Sequence, residues 1–233
     1  MDDSSGALLP GLPLTGSGSV SNSQCTINGA GSSAVGSGTL LTLTLNMTFK
    51  PAFGGNKVIY MAARDMLANN SGWSTIGVHS VPPLPSTFPQ STGMNPASGS
   101  TSTAVLSFIY QDQTNANNLQ TTWALMNTAL DGGGACYIAY YRPGNLLLLL
   151  PDNGDGSQAT SLVLNGANTS VNNSQCTIFG QGSSASVSGA QLTVTVNVTF
   201  KPSFAGHKGF WLASQTLGLQ TGNWQSLGAW QVP

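Results

Sequence analysis

Charge is the first thing this chain lacks. Of its 233 residues only 6% are charged, with six Lys plus Arg, seven acids and a formal net charge of -1; an ordinary globular domain carries about 25%. All seven acids are Asp, and Glu does not occur. Without a basic surface there is nothing to neutralise phosphates, which excludes DNA and RNA as expected partners. Acid–base catalysis draws on His, Asp, Glu and Lys, so an enzyme is not expected, and no catalytic residue is assigned. Long apolar runs are also missing. Leu146 to Leu150 is a strand's worth, against roughly 18 residues for a membrane helix, so membrane insertion is not expected. The start, Met1-Asp2-Asp3, is acidic where a secretory leader would be basic, and no leader is expected there. What the chain does have is 40% hydrophobic residues, enough for a core, and a polar complement of Ser, Thr, Asn, Gln and Gly typical of extracellular surfaces.

The chain repeats itself. Asn22-Ser23-Gln24-Cys25-Thr26-Ile27 recurs as Asn173-Ser174-Gln175-Cys176-Thr177-Ile178, and a shift of 151 aligns 29 identical residues among 61 without a gap, as far as Val232-Pro233. Such self-similarity is the signature of repeat architecture. Residues 1–82 read as a partial repeat, its rear half; 83–99 as a Pro/Ser-rich linker, opening Pro83-Leu84-Pro85-Ser86; and 100–233 as one complete repeat. Residues 1–19 stand where 152–170 stand in the complete copy, with little resemblance.

Leu192, Val194, Val196, Val198 and Phe200 alternate with polar residues, as do Leu41, Leu43, Leu45, Met47 and Phe49. This period of two gives strands with one buried face. Further strands are expected at 103–111, 119–127, 135–142, 145–151, 159–165, 175–179, 208–214 and 224–232, punctuated by Gly, Asn, Asp and Pro. The fold class is all-β, an immunoglobulin-like sandwich.

Ser174-Gln175-Cys176-Thr177-Ile178, Phe200-Lys201-Pro202-Ser203-Phe204-Ala205-Gly206-His207-Lys208 and the closing Trp224 to Val232 resemble repeats of large secreted proteins of environmental bacteria, notably Acidobacteria. Ala135-Cys136-Tyr137-Ile138, Tyr141-Arg142 and Leu146 to Asp152 also resemble that unit. The resemblance covers 100–233 well and 20–82 as a partial copy. It implies immunoglobulin-like spacer or adhesive modules on the bacterial surface or outside the cell, and no catalytic residue comes with it.

Cys136 lies in the front half of the complete copy and Cys176 in its rear half, so a disulfide between them is expected. Cys25 corresponds to Cys176, and the place of its partner falls before residue 1, leaving an orphan or intermolecular thiol. Leu41, Leu43, Leu45 and Met47 would then lack a covering sheet and form an assembly face. Either the chain is part of a longer array, or another subunit completes the half-repeat. The latter makes a self-assembling protein, a homo-oligomer or fibre joined by strand exchange.

Other constellations are weaker. Lys50 and Lys57 keep register with Lys201 and Lys208. An isopeptide cross-link wants a buried acid that is not in register beside them, so charged gatekeepers on strand edges are the better reading. Asp152 and Asp155 could be calcium ligands but read better as a turn; no other metal site and no cofactor is expected. Tyr140, Tyr141 and Trp230 are candidates for stacking on sugar rings, which would make the chain a carbohydrate-binding module with a polysaccharide partner. Trp73 and Trp224 are in register, which favours a core position for both.

Overall fold

The computed structural model describes residues 11–14, 16–84 and 87–233. Its strands are β1 (Ser19–Ser21), β2 (Cys25–Ser37), β3 (Leu40–Phe49), β4 (Gly55–Met61), β5 (Ser74–Val81), β6 (Gln90–Asn95), β7 (Ser98–Gly99), β8 (Thr103–Gln111), β9 (Leu119–Asn127), β10 (Cys136–Tyr141), β11 (Leu146–Leu149), β12 (Thr160–Val163), β13 (Ser170–Asn172), β14 (Cys176–Ser188), β15 (Gln191–Phe200), β16 (Gly206–Thr216) and β17 (Gln225–Val232). Helical structure among the described residues is limited to three-residue 3-10 turns, so the chain is all-β.

The chain forms two compact units. One takes in the described residues of Met1–Gly55 and Ser80–Pro85, the other those of Asn56–His79 and Ser86–Pro233. In the second unit a seven-stranded sheet, ordered β12-β11-β10-β9-β16-β17-β7, and a five-stranded sheet, ordered β13-β14-β15-β8-β6, close on one core. Alternation explains the closure. Leu192, Val194, Val196 and Val198 of β15 and Leu106, Phe108 and Tyr110 of β8 point inward from one sheet. Met126, Ile138, Leu147, Leu149, Phe210 and Leu212 point inward from the other. Burying such side chains is the main stabilising term, and the two layers form a β-sandwich.

The first unit contains β1, β2 and β3, ordered β1-β2-β3. Its geometry reproduces β13-β14-β15 at a constant offset of 151. The break in pairing register falls between Asn28 and Ser33 in β2 and between Phe179 and Ser184 in β14. At each bulge a glycine, Gly31 or Gly182, sits at φ +81°; at each two-residue hairpin turn Gly38 or Gly189 sits at φ +58° or +59°. A side chain would be strained at these angles, so the same glycines set the same hairpin twice. The Ser32 hydroxyl donates to the Asn28 carbonyl and accepts from the Asn46 N–H, as Ser183 does with Phe179 and Asn197.

Two expectations about organisation are corrected. The stretch 83–99 is not merely a linker, because β6 pairs antiparallel with β8 and β7 runs parallel to β17. Nor do residues 1–82 stay together, because most of the β4–β5 hairpin belongs to the second unit.

Candidate functional site

The disulfide joins Cys136, the first residue of β10, to Cys176, the first residue of β14, and so ties the two sheets of the sandwich; both residues are fully buried. Asn173 reinforces this seam, its amide donating to the carbonyls of Ala135 and Leu150 at 2.9 and 3.0 Å. Cys25, at the position equivalent to Cys176, carries a free, half-buried thiol.

The apolar face of β3 is bare. Leu41 is 72% exposed where its equivalent Leu192 is 1% exposed, and Leu43 is 54% exposed where Val194 is 2%. Leu45 and Met47 are exposed, whereas Val196 and Val198 are completely buried. β15 belongs to a sheet whose inward face a second sheet covers, and the strand edges differ as well. β15 lies between β14 and β8, while β3 pairs with β2 on one side and, among the described residues, with no strand on the other. The span from 19 to 49 contains no charged residue and no His, so nothing charged guards this edge in the way that lone edge strands are commonly protected.

The β4–β5 hairpin divides its two faces in a related way. Val58 packs against the buried cluster of Leu125, Ala135 and Trp211 on the outer side of the seven-stranded sheet. The Tyr60 and Thr75 hydroxyls both donate to the Thr128 carbonyl at 3.3 Å, and the Asn56 amide donates to Gln225 at 2.8 Å. Ile59 and Met61, one residue out of phase, are exposed, although their equivalents Phe210 and Leu212 are core residues. Thus Val58 and Thr75 are sheltered on the outward side of this hairpin, while Ile59 and Met61, whose equivalents on β16 face the core, are exposed. In the sequence, the alignment of Ile59 and Met61 with Phe210 and Leu212 is the signal that marks this second open face.

The sugar-stacking candidates separate. Tyr140 is buried, its hydroxyl donating to Asn145 at 3.0 Å, and Trp230 is buried with its indole N–H donating to the Thr101 carbonyl at 2.8 Å. Neither offers a ring face to a sugar, which leaves Tyr141 as the exposed member of the three. Trp73 departs from the expected core position: it is 75% exposed, while Trp224 packs edge-on to Tyr137 at 6.1 Å. Tyr137 lies in the front half of the complete copy, and so Trp224 has a neighbour that the offset does not provide for Trp73.

Several of the few charged side chains bond to the backbone. Asp152 accepts from the Ser174 N–H, and Asp155 caps a 3-10 turn by accepting from the Ser157 N–H. The two weak calcium candidates are therefore engaged as turn and loop acceptors. Lys50 and Lys201 donate to the Asn22 and Asn173 carbonyls, the same bond in both copies. Lys208 is buried with its ammonium 4.5 Å from the Phe204 ring centre, and burial pulls its pKa below the ordinary value. An open cleft of about 630 Å³, lined by Phe88, Thr114, Asn118 and Gln220, holds Asp112 as the one ionisable group among its described lining residues. Burial opposes the ionised form of Asp112, but the N–H groups of Thr114 and Asn115 and the Asn118 amide outweigh it and hold the carboxyl below its usual pKa. That carboxylate is already committed to its own loop.

Comparison with protein-family models, with curated proteins and with solved structures gave no match. The buried disulfide fits an extracellular setting, and no helix among the described residues is long and apolar enough to cross a membrane.

Proposed function

We propose that this chain is a non-enzymatic, extracellular structural protein of bacterial surfaces, built of immunoglobulin-like β-sandwich repeats, and that its open half-repeat joins it to other chains by β-strand complementation, as in a fibre or filament. One observation carries the reading: equivalent inward positions on β3 and β15 differ from bare to fully buried. A sheet edge with unpaired N–H and C=O groups beside an apolar face is a template for another strand. The engagement of Asp112, Asp152, Asp155, Lys50 and Lys201 in backbone hydrogen bonds supports a structural rather than a chemical role for the few charges present.

Left without its partner strand, such a face associates with itself. Mass photometry of the full chain is expected to show multimers that Leu43→Lys disperses. A chain that stays monomeric across the micromolar range, with or without the substitution, contradicts the reading.

A further inference from the structure

The second unit shows in detail what pairs with the edge that β3 leaves open. On β15 that edge is taken by β8, antiparallel, in a register that sets Leu192 opposite Tyr110, Val194 opposite Phe108, Val196 opposite Leu106 and Val198 opposite Ala104. Leu41, Leu43, Leu45 and Met47 occupy the equivalent positions of β3. Thr195 exchanges a hydrogen bond with the Ser107 hydroxyl at 2.9 Å on the outward side, and Thr44 stands at the same place in β3. The bulge and the turn that precede β15 recur at the same positions, with the same glycines, in β2–β3.

Resting on the reading above, we propose that the open edge of β3 receives an antiparallel partner strand with the alternation of β8: apolar side chains at every second position on the same sheet face as the Leu41–Met47 row, and small polar or branched residues between them, one hydroxyl opposite Thr44. The uncharged character of residues 19–49 selects an uncharged strand, and Thr103 to Gln111 itself has none of the charged residue types. β8 itself is already held between β15 and β6, so the donor is a β8-like strand that is not already paired in this way.

The full chain and a synthetic peptide of residues 99–112 test this, with a scrambled peptide of the same composition as control. One peptide is expected to bind per chain, to slow amide exchange from Leu41 to Met47 about tenfold, to leave β15 unchanged and to reduce self-association; the Leu43→Lys chain is expected not to bind it. If the chain self-associates but the peptide binds no better than the scrambled control, the strand assignment is overturned and the wider reading stands. If the chain is monomeric and yet takes the peptide in the β3 register, the strand assignment holds and self-association falls. If the chain is monomeric and the peptide does not bind, both fail.

Discussion

Leu41 and Leu192 stand at the same place on equivalent strands, 151 residues apart, and the first is 72% exposed while the second is 1% exposed. The flanking hairpins share their bulge, their turn glycines and their hydroxyl–backbone bonds, so the local chain does not cause the difference. The neighbours do: β15 has β8 at its edge and a second sheet across its face, and β3, among the described residues, pairs with β2 alone. Burying one Leu side chain is worth about 1.5–3 kcal/mol, and a row of four such positions gives completion a substantial driving force.

The same contrast predicts unequal costs for one change made at two equivalent sites. Leu212→Ala removes a fully buried side chain from the core and is expected to cost about 2–5 kcal/mol. Met61→Ala, at the exposed equivalent, is expected to stay within about 0.5 kcal/mol. Chemical denaturation of the two variants, read by tryptophan fluorescence, checks this.

Thiol chemistry should separate the three cysteines. Under native conditions an alkylating reagent is expected to add once, at Cys25, because Cys136 and Cys176 are bonded and buried. Reduction in denaturant should raise the count to three by mass. Losing the bridge, which spans 40 residues of sequence, is expected to lower stability by about 4 kcal/mol on the chain-entropy estimate.

Asp112 predicts a pH limb. Its pKa is lowered from 3.8 on folding, so its contribution is fully present above that value and disappears as pH falls through the lower folded value. Asp112→Asn keeps an acceptor oxygen for the N–H groups of Thr114 and Asn115 but removes the charge that strengthens those bonds. It is expected to cost about 1–3 kcal/mol near neutral pH and to flatten the loss of stability below pH 3.8. Denaturant melts of both proteins across the acid range measure the difference.

Much of the architecture could be read from residue patterns. Alternation through Leu192 to Phe200 gave a strand with one inward face, and the cysteine spacing with the internal repeat gave the bridge to Cys136. Other features depend on partners far away in sequence. Ser91-Thr92-Gly93 in β6 has no apolar alternation and becomes a strand because β8 offers it an edge. The adjacency of Tyr140 and Tyr141 required one ring to point out, but which one depended on Asn145 receiving the Tyr140 hydroxyl. Trp73 follows Trp224 in register yet lacks the Tyr137 contact, because register transfers backbone position and not the neighbours supplied by a front half.

Hydrogen exchange on the full chain, resolved for β3 and β15 over a concentration series, tests the central claim most directly. At low concentration the amides from Leu41 to Met47 are expected to exchange fast while those of β15 remain protected, and raising the concentration should slow β3 as chains associate. Equal, concentration-independent protection of β3 and β15 in a monomeric chain would contradict the account.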